Sequence, residues 1–156
     1  MAQKKKQEER KSIAVNRKAR HDYAVIETFE AGISLTGTEV KSCRASGVNL
    51  SDSYAVIVKG ELKLLNAHIS PYEQGNIFNH APRRQRTLLM HKKEILRLKK
   101  SIEAKGLTLV PLSMYFSPKN KVKVELALCR GKNVVDKRED MKKKMDELDM
   151  KRSLKR

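Results

Sequence analysis

Apolar residues along this chain fall into short alternating or continuous runs divided by turn residues, a pattern that predicts strands more often than helices. The first run, Tyr23–Phe29, is β-branched and aromatic, and Glu30–Ala31–Gly32 is expected to turn it into a second strand, Ile33–Thr36. Gly37–Arg44 reads as a short helix, with Thr38 as its cap candidate and Lys41 and Arg44 three apart on one side. Ser53–Val58 and Glu61–Ile69 flank Lys59–Gly60, a two-residue connection suited to a hairpin. From Ser70 to Gln85 the periodicity is lost among Pro71, Gly75 and Pro82, and the stretch ends in Arg83–Arg84–Gln85–Arg86. A loop of that length inside a compact domain is functional or mobile, and its basic end favours functional. A helical period returns over His91–Lys105, where Ile95, Leu98 and Ile102 share a face and Gly106 stands at the C-cap. Leu107–Phe116 and Val122–Leu128 are two further strands joined by the turn Ser117–Asn120.

Five or six short, mostly antiparallel strands with about three helices predict a mostly β fold. An OB-fold-like antiparallel closed barrel is preferred to a sandwich, which has more strands and lacks the intervening helix. Three segments follow: a basic disordered N-terminal arm at 1–12, the barrel at 13–130, and a basic C-terminal tail at 131–156. Residues 130–138 are the junction, where Gly131 can turn sharply. In the tail Met141, Met145 and Leu148 share a helical face, but Arg152 takes the next position on it. Such a helix is marginal in water, so the tail is expected to be disordered when free and helical on a partner.

Charge sharpens this plan. The 156 residues carry a formal +17, with pI near 10.0. Residues 1–20 hold eight Lys/Arg against two acids, and residues 130–156 hold eleven against six. Basic arms on a basic body point to a polyanion partner, because each phosphate neutralised releases a counterion. No apolar stretch suits a membrane span, and Lys4–Lys5–Lys6 leads into no secretory apolar run, so a cytoplasmic protein is expected. Cys43 and Cys129 lack metal-ligand spacing and are expected to be reduced packing residues. The four His are scattered at 21, 68, 80 and 91, and Glu27, Glu30 and Glu39 are accompanied by no D-x-D, P-loop or nucleophile motif. A non-enzyme without cofactor or metal is expected, with a small nuclease and a structural rRNA-binding protein as the rival readings.

Candidate binding chemistry lies in the basic runs. His21 and Tyr23 stand among Lys18 and Arg20, where either ring could stack on an unpaired base, although Tyr23 suits a core position equally well. Arg83, Arg84 and Arg86 are candidates for phosphate contact. Aromatics make up only 4% of the chain, too few for an extended stacking platform, so recognition of RNA shape and backbone is expected.

Six stretches in order carry a resemblance: Asn16–Tyr23, Phe29–Ile33, Gly37–Ser42, Asn49–Tyr54, Pro82–His91, and Gly131–Lys132 with Asp136–Lys137–Arg138. They resemble the small protein B family, the SsrA-binding proteins that partner transfer-messenger RNA in bacteria. The resemblance implies an OB-fold barrel gripping the elbow of that RNA's tRNA-like part. It also implies delivery to the A site of a stalled ribosome in company with elongation factor Tu, by a monomer with no membrane partner. It carries over Asn16, His21, Glu30, Leu89 and Lys123 as RNA-binding residues, to which motif membership and chemistry add Lys18, Arg20, Tyr23, Glu39, Lys41, Arg44, Arg84 and Arg86. Glu30 would either accept hydrogen bonds from base or ribose donors or orient a neighbouring cation. Gly131, Lys132, Asp136, Lys137 and Arg138, with Lys142, Lys143, Lys144, Lys151 and Arg152, are the implied residues for the decoding centre and mRNA channel. Val135 stands where family members often carry an aromatic residue or His.

Overall fold

The computed structural model of the chain describes residues 11–72, 81–131 and 134–154; within the last segment the side chains of residues 134–137 and 140 are outside the description. Strands β1 (Lys11–Val15), β2 (Tyr23–Ile33), β4 (Tyr54–Val58), β5 (Glu61–Leu65), β7 (Arg86–Leu89), β8 (Thr108–Phe116) and β9 (Val122–Gly131) form one sheet; β3 (Val48–Asn49) and β6 (His68–Ile69) form a small second one. The order β8-β4-β5-β7-β2-β9 returns to β8 through β8–β9 pairing. Six antiparallel strands therefore close a ring, an OB-type barrel, with β1 added outside β8.

Closure needs strong coiling, and bulges supply it. Each long pairing slips by one residue, at Ile13 in β1, Ile26 in β2 and Leu112 in β8. Inside the ring lie Leu62, Leu64, Leu98, Leu109, Met114, Val124 and Leu126, all fully buried. The hairpin connection Lys59–Gly60 has φ of 51° and 77°, the paired positive values of the turn whose twist matches two antiparallel strands. Helix α1 (Arg17–Asp22), helix α2 (Gly37–Arg44), helix α3 (Lys92–Lys105) and helix α4 (Val134–Leu154) complete the described chain. Gly106 caps α3 in the left-handed conformation, and Arg97 ties α3 to β2 by pairing with Glu27 and lying 5.5 Å over the Phe29 ring.

Several expectations are corrected. Glu30–Ala31–Gly32 is not a turn, because β2 runs unbroken to Ile33 and pairs with β9 through Gly32. The basic run Arg17–Asp22 is a helix capped by Asn16, and α2 is capped by Thr36, two residues before Thr38. There are four described helices, and the expected arm at 1–12 loses Lys11 and Ser12 to β1; residues 1–10 lie outside the described residues. Gly131 ends a strand, paired with Tyr23, where a sharp turn was expected. Val134–Leu154 forms a helix, the conformation expected of the tail on a partner. High helix propensity and the i,i+4 pairs Glu139/Lys143 and Glu147/Lys151 favour that helix.

Candidate nucleic-acid interface

The strand register collects residues that are far apart in sequence. On β2, Gly32 is paired with Leu89 of β7 on one side and Lys123 of β9 on the other. Side chains alternate along a strand, so Glu30 shares the outward face of Gly32 while Ala31 and Ile33 point into the core. A Cβ at Gly32 would sit 3.3 Å from Leu89 Cβ, and its absence leaves the floor of a groove of about 360 Å³ lined also by Asn120, Lys121 and Lys123. Leu89 is exposed at one wall and Lys123 is half-buried at the other.

Glu30 lies beside a cross-strand partner of its own charge, Glu125, which would be unfavourable without donors nearby. Two hydroxyls supply them. The Tyr115 hydroxyl donates to Glu30 Oε2, and Ser113 Oγ donates to Glu125 Oε2 at 3.1 Å. Thus a tyrosine orients the Glu30 carboxylate, which was expected either to accept from base or ribose donors or to orient a neighbouring cation. Tyr115 was missed because only the β8–β9 register, Tyr115 opposite Lys123, brings it there.

About 20 Å further along the same ribbon, at seven residues of roughly 3.3 Å each, lies the second cluster. Asn16 caps α1 by accepting from the Ala19 amide at 3.1 Å, and its Nδ2 donates to the Leu50 and Pro111 carbonyls at 2.9 Å each. With its side chain buried, Asn16 pins α1 to the barrel. It seats Ala19 against Val110, Leu112, Ala127 and Cys129 on the outside of the barrel, with half-buried Tyr23 packed against them. Tyr23 therefore joins both readings, core on one side and surface on the other. Lys18 donates to Asp52 at 2.8 Å, which holds its pKa up and that of Asp52 down. His21 Nδ1 lies 3.0 Å from Asp22 Oδ1, and Arg20 is exposed.

The third cluster gathers Glu39, Arg84 and Arg86. Arg86 has a side-chain exposure of 0% and Glu39 of 6%. Arg86 Nε donates to Glu39 Oε2 at 2.5 Å, Nη1 to the Ala67 and Arg84 carbonyls at 2.8 and 3.1 Å, and Nη2 to the Pro82 carbonyl at 2.9 Å and to Glu39. All three guanidinium nitrogens thereby donate within the protein, and Nη2 also pairs with Glu39. Arg86 and Glu39, both expected at the RNA, are engaged with each other and with the protein backbone in this structure. Glu39 also accepts from the Thr36 amide at 3.1 Å, closing the α2 capping box, and from Arg84 Nε at 3.1 Å. Burial pushes the Glu39 pKa up, but the bonds from Arg84, Thr36 and Arg86 outweigh it and the net shift is downward. Burial pushes the Arg86 pKa down, against the pull of Glu39; a guanidinium stays charged in any case. Arg84 keeps a side-chain exposure of 28% and so retains an outward edge. On α2, Lys41 Nζ lies 5.3 Å over the Tyr72 ring and Arg44 is exposed.

Of the tail residues, Arg138, Lys142, Lys143, Lys144, Lys151 and Arg152 are exposed on α4. Lys132 and the side chains of Val135, Asp136 and Lys137 lie outside the described residues. Among the described residues no group of three His, Cys, Asp or Glu side chains is placed to hold a metal, and no helix is long and apolar enough to cross a membrane.

Residues 13–156 match the family model for SmpB protein. The chain is 61% identical over 142 residues to the SsrA-binding protein of Symbiobacterium thermophilum, covering 91% of this chain and 90% of that one. To the SsrA-binding protein of Desulforamulus reducens it is 58% identical over 144 residues, covering 92% and 89%. A solved structure described as "tmRNA-SmpB: a journey to the center of the bacterial ribosome" superposes with a TM-score of 0.66 at 54% identity, over 78% of this chain and 85% of that one. A match of this extent, on a barrel whose outward face gathers Glu30, Leu89 and Lys123, places the chain in the SmpB protein family.

Proposed function

We propose that this chain is an RNA-binding adaptor of ribosome rescue. It binds the tRNA-like domain of transfer-messenger RNA and brings it, with elongation factor Tu, to the A site of a stalled cytoplasmic ribosome. Incomplete polypeptides are then tagged by trans-translation, with no catalysis by the protein itself. The supporting observation is the convergence of Gly32, Leu89 and Lys123, from three neighbouring strands, around one groove, with Glu30 two residues along β2 on the same outward face. That groove combines an apolar wall with cations, and the oriented Glu30 carboxylate lies beside it on the same face, as contact with an unpaired nucleotide and its phosphate requires. The α1 cluster extends the face along the ribbon with Lys18, Arg20 and His21. A surface about 20 Å long with few rings suits the shape and backbone of a folded RNA better than sequence readout. The second assignment is division of labour: barrel for the RNA, residues 131–156 for the decoding centre and empty mRNA channel, with Arg138 and the exposed α4 cations facing ribosomal phosphate.

The test is competition binding at moderate salt between the tRNA-like RNA and random duplex. Preference for the tRNA-like RNA is expected; equal affinity would overturn the adaptor in favour of a general rRNA-binding protein. Magnesium-dependent cleavage of RNA by the pure protein would restore the nuclease.

A further inference from the structure

The sulfur atoms of this protein are unevenly protected. Met114 is fully buried in the barrel and Met90 is partly buried against the core; Met1 lies outside the described residues. Cys43 and Cys129 are buried, and burial, for Cys43 with the nearby Glu39 carboxylate, pushes each thiol up to about 11. Neither is a thiolate at neutral pH, which removes the reactive form. Met141, Met145 and Met150, by contrast, are 54%, 60% and 67% exposed on α4. Among the described residues, the sulfur freely open to a dissolved oxidant is therefore concentrated on the tail helix. Met141 and Met145 are i,i+4 neighbours and, with exposed Leu148, form the apolar strip of that helix. Lys142, Lys143 and Lys144 occupy the same turns.

We propose that Met141, Met145 and Met150 form an oxidation site through which a hydroperoxide disables the tail while sparing the barrel. The thioether sulfur attacks one peroxide oxygen of hydrogen peroxide. An S–O bond forms, the O–O bond breaks, and the departing hydroxide takes the remaining proton as water. Sulfur loses two electrons and the peroxide gains them. The sulfoxide is polar and chiral where the thioether was flexible and apolar, and reductases return it to methionine. Along α4 this converts the apolar strip beside the lysines into a hydrated one, so the helix can no longer seat that strip on a partner. The consequence for activity rests on the tail's proposed ribosomal role; the selectivity of oxidation does not.

The experiment treats the full-length protein with dilute hydrogen peroxide and follows each methionine by peptide mass spectrometry. Met141, Met145 and Met150 are expected to gain one oxygen at least roughly tenfold faster than Met114, as oxidation follows access, with both cysteines unmodified. Oxidation of Met114 or either cysteine at the tail's rate overturns the proposal. In a second arm the oxidised protein is assayed for binding to the tRNA-like RNA and for tagging on stalled ribosomes, before and after methionine sulfoxide reductase. Unchanged RNA affinity, lost tagging and recovery with the reductase are expected. A Met141→Leu, Met145→Leu, Met150→Leu variant, which keeps the apolar strip, should tag after peroxide treatment at the same rate as before it, each rate referred to the untreated variant. Equal peroxide sensitivity in that variant, or no recovery of the wild type with reductase, overturns the proposal. Failure of the untreated wild type to bind the RNA or to tag sinks the adaptor reading instead, and leaves the oxidation map standing.

Discussion

Replacing Arg86 with methionine removes a buried cation that donates to Glu39 Oε2 and to the Ala67, Arg84 and Pro82 carbonyls, and whose Nη2 pairs with Glu39 as well. Methionine fills similar length but donates nothing. Glu39 keeps Arg84 and Thr36, yet loses the partner on its other oxygen while remaining nearly inaccessible. Removing one member of a buried ion pair costs about 3–5 kcal/mol, because the survivor's desolvation is no longer offset. With a urea m-value of about 2 kcal/mol per M, the unfolding midpoint should fall by about 2 M. Circular dichroism during urea unfolding measures this, and the Glu39→Gln, Arg86→Met double variant should lose less than the sum of the single changes. A midpoint shift below about 0.5 M, roughly 1 kcal/mol, would refute the account. The same variant separates structure from binding: in the folded protein its RNA affinity should keep the wild-type salt slope. A slope lowered by about one would mean that Arg86 does neutralise a phosphate.

Glu39 has a folded-state pKa below its ordinary 4.5. Its contribution is therefore present above that value and is lost as pH falls through the lower folded one; stability measured from pH 6 down to 3 should drop more steeply in wild type than in Glu39→Gln, and parallel curves would contradict this. Tyr115→Phe removes the donor that orients Glu30; stability should change by about 1 kcal/mol or less while affinity for the tRNA-like RNA falls several-fold, and unchanged affinity in a titration would remove Tyr115 from the site. Deleting residues 139–156 should leave RNA affinity nearly intact and abolish tagging in a reconstituted translation assay. A hundredfold loss of RNA affinity, about 2.7 kcal/mol, would contradict the division of labour.

Local chemistry determined much of this protein. The Lys59–Gly60 hairpin, helix α2, helix α3 ending at Gly106 and the β8–turn–β9 unit are set by residues a few positions apart, so alternation, caps and turn residues were enough to read them. The basic arms and their polyanion partner followed from charge alone, and six ordered motifs carried the family. Only tertiary structure decided what the cations do. Arg84 and Arg86 look alike in a basic run, but Arg86 opens β7 with its side chain buried on Glu39, whereas Arg84 lies before the strand and keeps an outward edge. Asn16 looked like a surface polar residue until the fold gave each of its polar atoms a buried partner. Gly32 looked like a turn, yet pairing on both sides makes it the strand position whose missing side chain opens the groove between Leu89 and Lys123. Tyr115 reaches Glu30 from 85 residues away. Such pairings depend on strand register, and a one-residue slip would send every side chain to the opposite face; closure of the ring fixes that register through contacts between distant segments.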